Sequence, residues 1–259
     1  MIYNCLRKLI YLLTYLIHKF LPTTKPEGFI LCYHSISNGN WEFSVTPENF
    51  KKQIEFLFKN YQPFSVNDLK KYLEGNLQTS KPFFLITFDD GYKDVYGIKE
   101  YIKSKGLHPL MFLISDTNNS DRKELDTSYP LLSVDEIKVL KNEGWDFGSH
   151  SATHSDFNTL PSENFEKEVI NSKIELEKQL GFEIKYFSYP KGRYNDSIID
   201  YVKKAGYELA FSMDNRILDK NCSKFTIPRV GVMNTHSFIE FMSLPLFLST
   251  KAREIFFRG

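Results

Sequence analysis

Four side chains suited to a hydrolytic metal site occur at two points of the sequence, and they are Asp89, Asp90, His150 and His154. The two carboxylates are adjacent, and the two imidazoles stand four residues apart. Imidazole nitrogen and carboxylate oxygen are both zinc ligands, and a catalytic zinc site takes three protein ligands and leaves one position for water. In a helical turn residues i and i+4 share a face, so the histidine spacing predicts that both rings reach one ion. One carboxylate would complete this site, and the other could accept a proton from the attacking water.

Each pair of side chains follows an apolar, β-prone run that must position it. The run Phe83–Phe88 ends at the two aspartates, and the run over residues 145–149 leads into the histidines. An apolar run of this length that ends in a turn signal is typical of a strand buried on both faces. The carboxyl ends of parallel strands gather ligands and catalytic groups at one edge of a sheet. We therefore expect all four side chains to meet at the mouth of one site.

Strand-like and helix-like segments alternate along the chain about seven times, which predicts a parallel sheet with crossover helices. The expected fold class is α/β, a distorted (β/α) barrel of about seven parallel strands, closed or nearly closed. Further strands are expected at residues 29–34, 109–114, 184–190, 209–213 and 225–228. The longest helix is expected over residues 161–180, with Gly181 as its stop.

Residues 1–24 are predicted to form an apolar helix and linker in front of a barrel domain over residues 25–259. The apolar stretch over residues 9–17 is shorter than the roughly 20 residues of a spanning helix, and no small-residue cleavage site of a signal peptide follows it. Two interpretations stay open. An interfacial helix would make peripheral membrane contact through residues 1–21 and place the protein at a membrane or in the cell envelope, on an undetermined side. A helix packed on the domain's own surface would leave a cytoplasmic location open.

The charge balance argues against one class of partner. Lys and Arg number 33 against 32 Asp and Glu, which gives a net charge of +1. No global field favours nucleic acid, and no nucleic-acid partner is expected.

Three short motifs together resemble those of the polysaccharide deacetylases, carbohydrate esterase family four. The motifs are Thr-Phe-Asp-Asp-Gly at residues 87–91, His-Ser-x-x-His at 150–154 and Ser-Tyr-Pro-Lys-Gly at 188–192. A Tyr-His pair at residues 33–34 resembles the subgroup that acts on poly-N-acetylglucosamine-like glycans. The resemblance extends over residues 29–232 and implies a distorted (β/α) barrel. It also implies an acetylated glycan as substrate, from which N-acetyl or O-acetyl groups are removed.

The same resemblance implies roles for individual residues. Asp89 would be the general base. The metal ligands would be Asp90, His150 and His154. The ion would be Zn²⁺, with Co²⁺, Ni²⁺ or Mn²⁺ as alternatives. The substrate-binding residues would be Tyr189, Pro190, Lys191 and Arg229, and the backbone N–H at Lys191 would help hold the oxyanion.

Two departures from the family pattern concern the partner of the base and the acid. Many members carry an arginine where this chain has Ser188, and Arg229, after the strand expected at 225–228, is the candidate replacement. The late histidine motif that carries the acid is not recognisable. His34, at the end of an early strand, is the candidate proton donor, and a nearby carboxylate would help keep it protonated. His236 is the alternative.

Two other functions stay open. A glycoside hydrolase needs two carboxylates about 5–9 Å apart on opposite sides of a sugar, which adjacent residues rarely supply, and it would leave both histidines unused. A degenerate carbohydrate-binding barrel without catalysis would fit the missing late motif. Such a barrel has little need for an open metal site.

Overall fold

The computed structural model describes residues 2–20, 27–120, 129–219 and 221–256. Its strands are β1 (Gly28–Tyr33), β2 (Ser35–Ile36), β3 (Ser44–Val45), β4 (Gln62–Pro63), β5 (Phe83–Phe88), β6 (Leu110–Leu113), β7 (Asp146–Ser149), β8 (Tyr186–Ser188), β9 (Leu209–Phe211) and β10 (Val230–Gly231). Its α-helices are α1 (Ile2–Phe20), α2 (Pro47–Asn60), α3 (Val66–Leu73), α4 (Lys99–Ser104), α5 (Val134–Asn142), α6 (Ser172–Leu180), α7 (Asp196–Lys204), α8 (Phe238–Ser243) and α9 (Phe247–Phe256). Turns of 3₁₀ helix cover Lys93–Ile98, Ser162–Asn164 and Pro190–Gly192, and a π turn covers Lys167–Asn171.

Seven of these strands form one curled parallel sheet in the order β10-β1-β5-β6-β7-β8-β9, and β4 pairs with the start of β5. β1 and β5 pair over their full length, from Gly28 opposite Phe83 to Tyr33 opposite Phe88. Both strands are buried at every position, which explains why they are apolar throughout rather than alternating. The predicted barrel-like fold of about seven parallel strands is confirmed.

The two edges of the sheet approach each other through the segment that leads into β10. Ile227 forms a parallel bridge with β9, and Val230 pairs with β1. The prediction of a strand at residues 225–228 is therefore wrong in position, since regular pairing begins only at β10. Pro228 has no N–H that could donate to a neighbouring strand. Arg229 lies between the two pairings.

The long helix expected over residues 161–180 is not one continuous α-helix. The 3₁₀ turn and the π turn Lys167–Asn171 precede α6. Its predicted stop is confirmed, since Gly181 has a φ of 79° and donates its N–H to Glu177 O. Glycine adopts this left-handed conformation without the steric cost of a Cβ.

Helix α1 packs on α8 and α9 through its polar side rather than its leucines. Arg7 Nε donates to a Glu240 carboxylate oxygen at 2.8 Å, and Thr14 Oγ1 hydrogen-bonds Ser249 Oγ at 2.9 Å. Tyr11 on the same side is buried. The exposed large apolar residues of α1 are Leu6, Leu9, Leu12, Leu13, Leu16, Ile17 and Phe20.

The role of this N-terminal segment stays a prediction. In the described ranges, no helix combines the length and the apolar character needed to cross a bilayer. The boundary expected between residues 24 and 25 lies outside the described residues, so the division into an N-terminal segment and a barrel domain is not tested.

Candidate active site

Four strand ends bring the candidate residues to one edge of the sheet. His34 follows β1, Asp89 and Asp90 follow β5, His150 follows β7 and Ser188 ends β8. All these strands are parallel and lie within the run β1-β5-β6-β7-β8. Four of these side chains are each 5% exposed or less, namely Asp89, Asp90, His150 and His154. The candidate site is therefore buried in the protein.

Asp90, His150 and His154 offer three ligand atoms that all lie within 4.8 Å of one another. Nε2 of each ring is 3.7 Å from Asp90 Oδ1, which is longer than a hydrogen bond. Ligand atoms bonded to one tetrahedral zinc at about 2.0–2.1 Å are separated by about 3.3 Å. The observed spacing therefore suits a shared ion better than direct pairing. Two imidazoles and one carboxylate are also a donor set that zinc accepts in catalytic sites.

The backbone that presents these ligands is irregular. Asp90, Ser151 and His154 have φ values of 68°, 67° and 59°, in the left-handed region that costs a non-glycine residue on the order of 1–3 kcal/mol. The histidines meet across a tight turn, in which His154 N–H donates to Ser151 Oγ at 3.0 Å. The expectation that they share one face of a helical turn is wrong, because the chain leaves β7 without entering a helix.

His150 is oriented by a backbone contact. Its Nδ1 donates to Ser188 O at 2.9 Å, so the ring proton is on Nδ1 and Nε2 presents its lone pair to the other ligands. Burial, opposed by the charge of Asp89, lowers the pKa of His150 to about 3. The ring is therefore neutral at neutral pH, which is the form that binds a metal.

Asp89 is held by the guanidinium of Arg229, which is fully buried. Nη1 and Nη2 donate to the two Asp89 carboxylate oxygens at 2.6 and 2.8 Å. The remaining N–H groups donate to Ser188 Oγ at 2.7 Å, Thr87 Oγ1 at 3.2 Å and Ser212 O at 3.2 Å. Five hydrogen bonds match the five donors of the group. The guanidinium of Arg229 therefore contacts both Asp89 and Ser188. Position 188 is the one at which many family members carry their arginine.

This ion pair controls the charge of Asp89. Burial by itself raises the pKa of the Asp89 carboxyl, but the charge and hydrogen bonds of Arg229 lower that pKa well below its usual range. Asp89 is consequently ionised at neutral pH and its orientation is fixed by a bidentate contact.

His34 lies next to Asp89 at the mouth. One of its ring nitrogens is within 4.8 Å of an Asp89 carboxylate oxygen, and within the described residues its Nδ1 has no hydrogen-bond partner. Burial lowers the pKa of His34, and the charges of Asp90 and Asp89 only partly oppose this. The nearby carboxylates favour the protonated ring, as expected, but desolvation outweighs them, so the net pKa shift is downward. His236, the alternative donor, accepts from Met233 N–H at 3.2 Å in the turn before α8.

The third motif follows β8 as the 3₁₀ turn Pro190–Gly192. Tyr189 is fully buried, and its hydroxyl donates to Phe225 O at 2.9 Å. Pro190 is buried as well. Lys191 is partly exposed and has a φ of 57°. Of the four residues predicted to bind substrate, Lys191 is the one whose side chain reaches the surface.

Two aromatic residues near His34 were not singled out from the sequence. The ring centroids of Phe43 and Trp41 lie 4.9 and 6.4 Å from that of His34, and both side chains are partly exposed. Their sequence signal is weak, because they belong to an irregular segment without periodicity. The high aromatic content, 15% of residues, does not distinguish them from core residues.

A family model described as polysaccharide deacetylase matches residues 76–210. The chain belongs to the polysaccharide deacetylase family. The matched range contains the aspartate pair, both histidines and the third motif, so the resemblance carried by these motifs is confirmed. The protein is therefore an enzyme, a polysaccharide deacetylase. The two alternative functions, a glycoside hydrolase and a carbohydrate-binding barrel without catalysis, are not supported.

Individual relatives agree with this assignment. The poly-beta-1,6-N-acetyl-D-glucosamine N-deacetylase of Staphylococcus epidermidis is 27% identical over 246 residues, which cover 84% of this chain and 83% of that protein. The solved structure of IcaB from Ammonifex degensii is similar with a TM-score of 0.73 at 20% identity, over 87% of this chain and 98% of that one. The Streptococcus pyogenes deacetylase PplD, in complex with acetate, gives a TM-score of 0.71 at 24% identity, over 85% and 97%. At these identities the two structures establish a shared fold.

Proposed function

We propose that this deacetylase is metal-dependent and removes acetyl groups from N-acetylated sugars of a cell-surface polysaccharide or of its precursor. The observation that carries the proposal is the buried set of Asp90, His150 and His154 beside an aspartate fixed by Arg229. The choice of an N-acetylated sugar is supported by the Staphylococcus epidermidis relative, whose name specifies an N-deacetylase of poly-beta-1,6-N-acetyl-D-glucosamine. A location in the cell envelope follows from such a substrate.

Asp90, His150 and His154 would hold the divalent ion, with zinc as the best match to two imidazoles and a carboxylate. When bound, such an ion lowers the pKa of a water molecule and polarises the substrate carbonyl. The bond from His150 to Ser188 O would keep one ligand aligned. Burial of all three ligands keeps bulk water away, which strengthens the electrostatic interactions inside the site.

Asp89 would accept the proton of the attacking water. Its low pKa keeps it ionised at neutral pH, and Arg229 keeps both of its oxygens in place. The backbone N–H of Lys191 would donate to the oxyanion that develops on the substrate. Arg229, although expected among the substrate-binding residues, would then act through Asp89 rather than by touching the sugar.

His34 would donate a proton to the leaving nitrogen, because an amine leaves poorly as an anion. Its ring lies within 4.8 Å of Asp89, so a proton taken from water has a short path to it. Since burial favours the neutral ring, His34 would receive this proton during the reaction rather than carry it beforehand.

Replacement of His34 by alanine should therefore depress acetate release from an acetamido sugar by about 10²-fold or more. Hydrolysis of an aryl acetate should be spared, because a phenolate leaves without a proton. His108→Ala is the matched control, since His108 is exposed and bonds Gly144 O on another part of the surface. Equal losses on both substrates would assign His34 a structural role instead.

The proposed function is tested by metal content and acetate release together. We expect about one zinc per purified chain, release of acetate from oligomers of N-acetylglucosamine, loss of that activity after chelation and its recovery when zinc is restored. Full activity in metal-free protein would contradict the proposal. Metal binding without acetate release from any acetylated sugar would contradict the substrate class.

We also propose that α1 attaches the enzyme to a membrane surface. Its polar side is occupied by α8 and α9, so the leucines on its opposite side are free to enter an interface. Leu9, Leu13 and Leu16 are 51%, 48% and 38% exposed. Lys8, exposed on the same helix, is a cation that can approach anionic headgroups, and an apolar face beside cationic residues is typical of interfacial helices.

Substitution of Leu9, Leu13 and Leu16 together by glutamine should weaken binding to anionic phosphatidylglycerol vesicles by on the order of 100-fold. Each half-exposed leucine contributes about 1 kcal/mol on leaving water, and the packed side of α1 is untouched. Ile174→Gln is the control, because Ile174 is 57% exposed on a different helix. The proposal is contradicted if the full-length protein does not bind the vesicles. It is also contradicted by self-association that the triple variant abolishes, which would assign the leucines to a second copy of the chain.

A further inference from the structure

Glu168 is a buried carboxylate whose side chain, among the residues that the structure describes, hydrogen-bonds Thr153 of the histidine turn, residues 151–154. It is 3% exposed. Its Oε2 accepts from Thr153 N–H at 2.9 Å, and its Oε1 accepts from Thr153 Oγ1–H at 2.7 Å. The backbone carbonyl of Glu168 also accepts from Ala152 N–H at 3.1 Å. One residue therefore binds the turn at three points.

This turn lies between two of the proposed metal ligands. Thr153 immediately precedes His154, and both Ser151 and His154 are left-handed. Non-glycine residues remain in that region only where their surroundings over-determine them. The three contacts from Glu168 therefore hold Ala152 and Thr153, the two residues between these left-handed positions.

Glu168 reaches the turn from the π turn Lys167–Asn171. A π turn inside a helix is rare, and it occurs frequently at functional sites because it changes which side chains face inward. Here it interrupts the segment that continues as α6, at the residue that contacts the histidine turn.

We propose that Glu168 is a positioning residue for the metal centre: its carboxylate locks residues 151–154 and thereby sets His154 relative to Asp90 and His150. It acts through Thr153 and is not itself a ligand. The inference rests on the proposed metal-dependent function and adds to it the group that enforces the geometry of the third ligand.

The experiment measures the zinc dissociation constant of the full-length protein by competition with a chromophoric chelator. Glu168→Ala should raise this constant by about 10–100-fold, the range for groups that orient a metal ligand. Glu168→Gln should bind zinc nearly as well as the wild type, because its amide can accept from Thr153 N–H and donate to Thr153 Oγ1. Rescue by glutamine would show that geometry rather than charge is required.

Glu240→Ala is the matched control for loss of a buried carboxylate. Glu240 is 1% exposed and accepts from Ser237 N–H at 2.7 Å and from Arg7 Nε at 2.8 Å. It should lower the thermal midpoint of the metal-free protein and leave the zinc dissociation constant unchanged. A purely structural Glu168 would behave in the same way.

The outcomes separate the inference from the proposed function. Wild-type zinc affinity in Glu168→Ala overturns the inference alone, whereas a wild-type protein that binds no metal overturns the proposed function and the inference with it. If Glu168→Ala does not fold, Thr153→Val decides, because it keeps the N–H bond and removes only the hydroxyl bond. It should weaken zinc binding several-fold, and unchanged affinity would overturn the inference.

Discussion

Replacing Asp89 by asparagine should leave the metal bound and remove most of the turnover. Asparagine keeps the shape of the side chain but cannot take up a proton from water, and loss of an acid–base group typically lowers kcat by about 10²–10⁴-fold. Asp89 Oδ2 is 3.6 Å from His150 Nε2, but both Asp89 oxygens are bound by Arg229, whereas Asp90 groups with both histidines. Metal affinity should therefore survive. The measurement is acetate release together with zinc content of the same preparation.

Asp90→Asn is the matched control for this experiment, because it changes the adjacent carboxylate in the same way. We expect it to lose zinc as well as activity, since Asp90 Oδ1 is 3.7 Å from Nε2 of both histidines. Loss of zinc in Asp89→Asn with retention in Asp90→Asn would reverse the two roles. Thermal unfolding of both variants ensures that assays are made on folded protein.

Among the variants proposed for this protein, Arg229→Met should cause the largest loss of folding stability. It leaves Asp89 buried without its bidentate partner, and breaking a buried ion pair in this way costs about 3–5 kcal/mol. For a chain of this size the thermal midpoint should fall by roughly 6–20 °C. Lys52→Met, which breaks an exposed ion pair with Glu48, should change the midpoint little.

The effect of Arg229→Met should also depend on pH. Because Arg229 lowers the folded-state pKa of Asp89, the pair adds stability above about pH 4, the ordinary range of an aspartate. That stability is lost as the pH falls toward the lower folded-state pKa. The difference between wild type and variant should therefore be largest at neutral pH and shrink below about pH 4.

A double variant, Asp89→Asn with Arg229→Met, separates the ion pair from packing. Removing both charges should give a more stable protein than Arg229→Met alone, since no uncompensated charge remains buried. If the double variant is no more stable than Arg229→Met, the loss comes from the packing of the guanidinium and its hydrogen bonds to Ser188, Thr87 and Ser212 rather than from the ion pair.

The sequence by itself determined the class of fold and the chemistry of the site. Continuous apolar runs such as Phe83–Phe88 indicate strands buried on both faces, and their alternation with helices indicates a parallel sheet. In that fold, side chains at strand ends share one edge whatever the details of packing. The sequence positions alone therefore predict that four side chains lie close together, namely Asp89, Asp90, His150 and His154. Their residue types limit the chemistry that they can perform.

The tertiary structure decided the contacts and charge states that depend on distant residues or on burial. Asp89 and Arg229 are 140 positions apart in the chain, and no local pattern determines which partner a buried carboxylate meets when the two edges of a curled sheet come together. The sequence could raise Arg229 only as a candidate. The pKa of His34 was misjudged for a related reason, since the sequence shows the neighbouring carboxylates but not the desolvation that outweighs them. Likewise the apolar pattern of α1 does not show which side of the helix faces the domain, because that depends on the surface against which the helix packs. Here Arg7 and Thr14 form hydrogen bonds with α8 and α9, and the leucines therefore face outward.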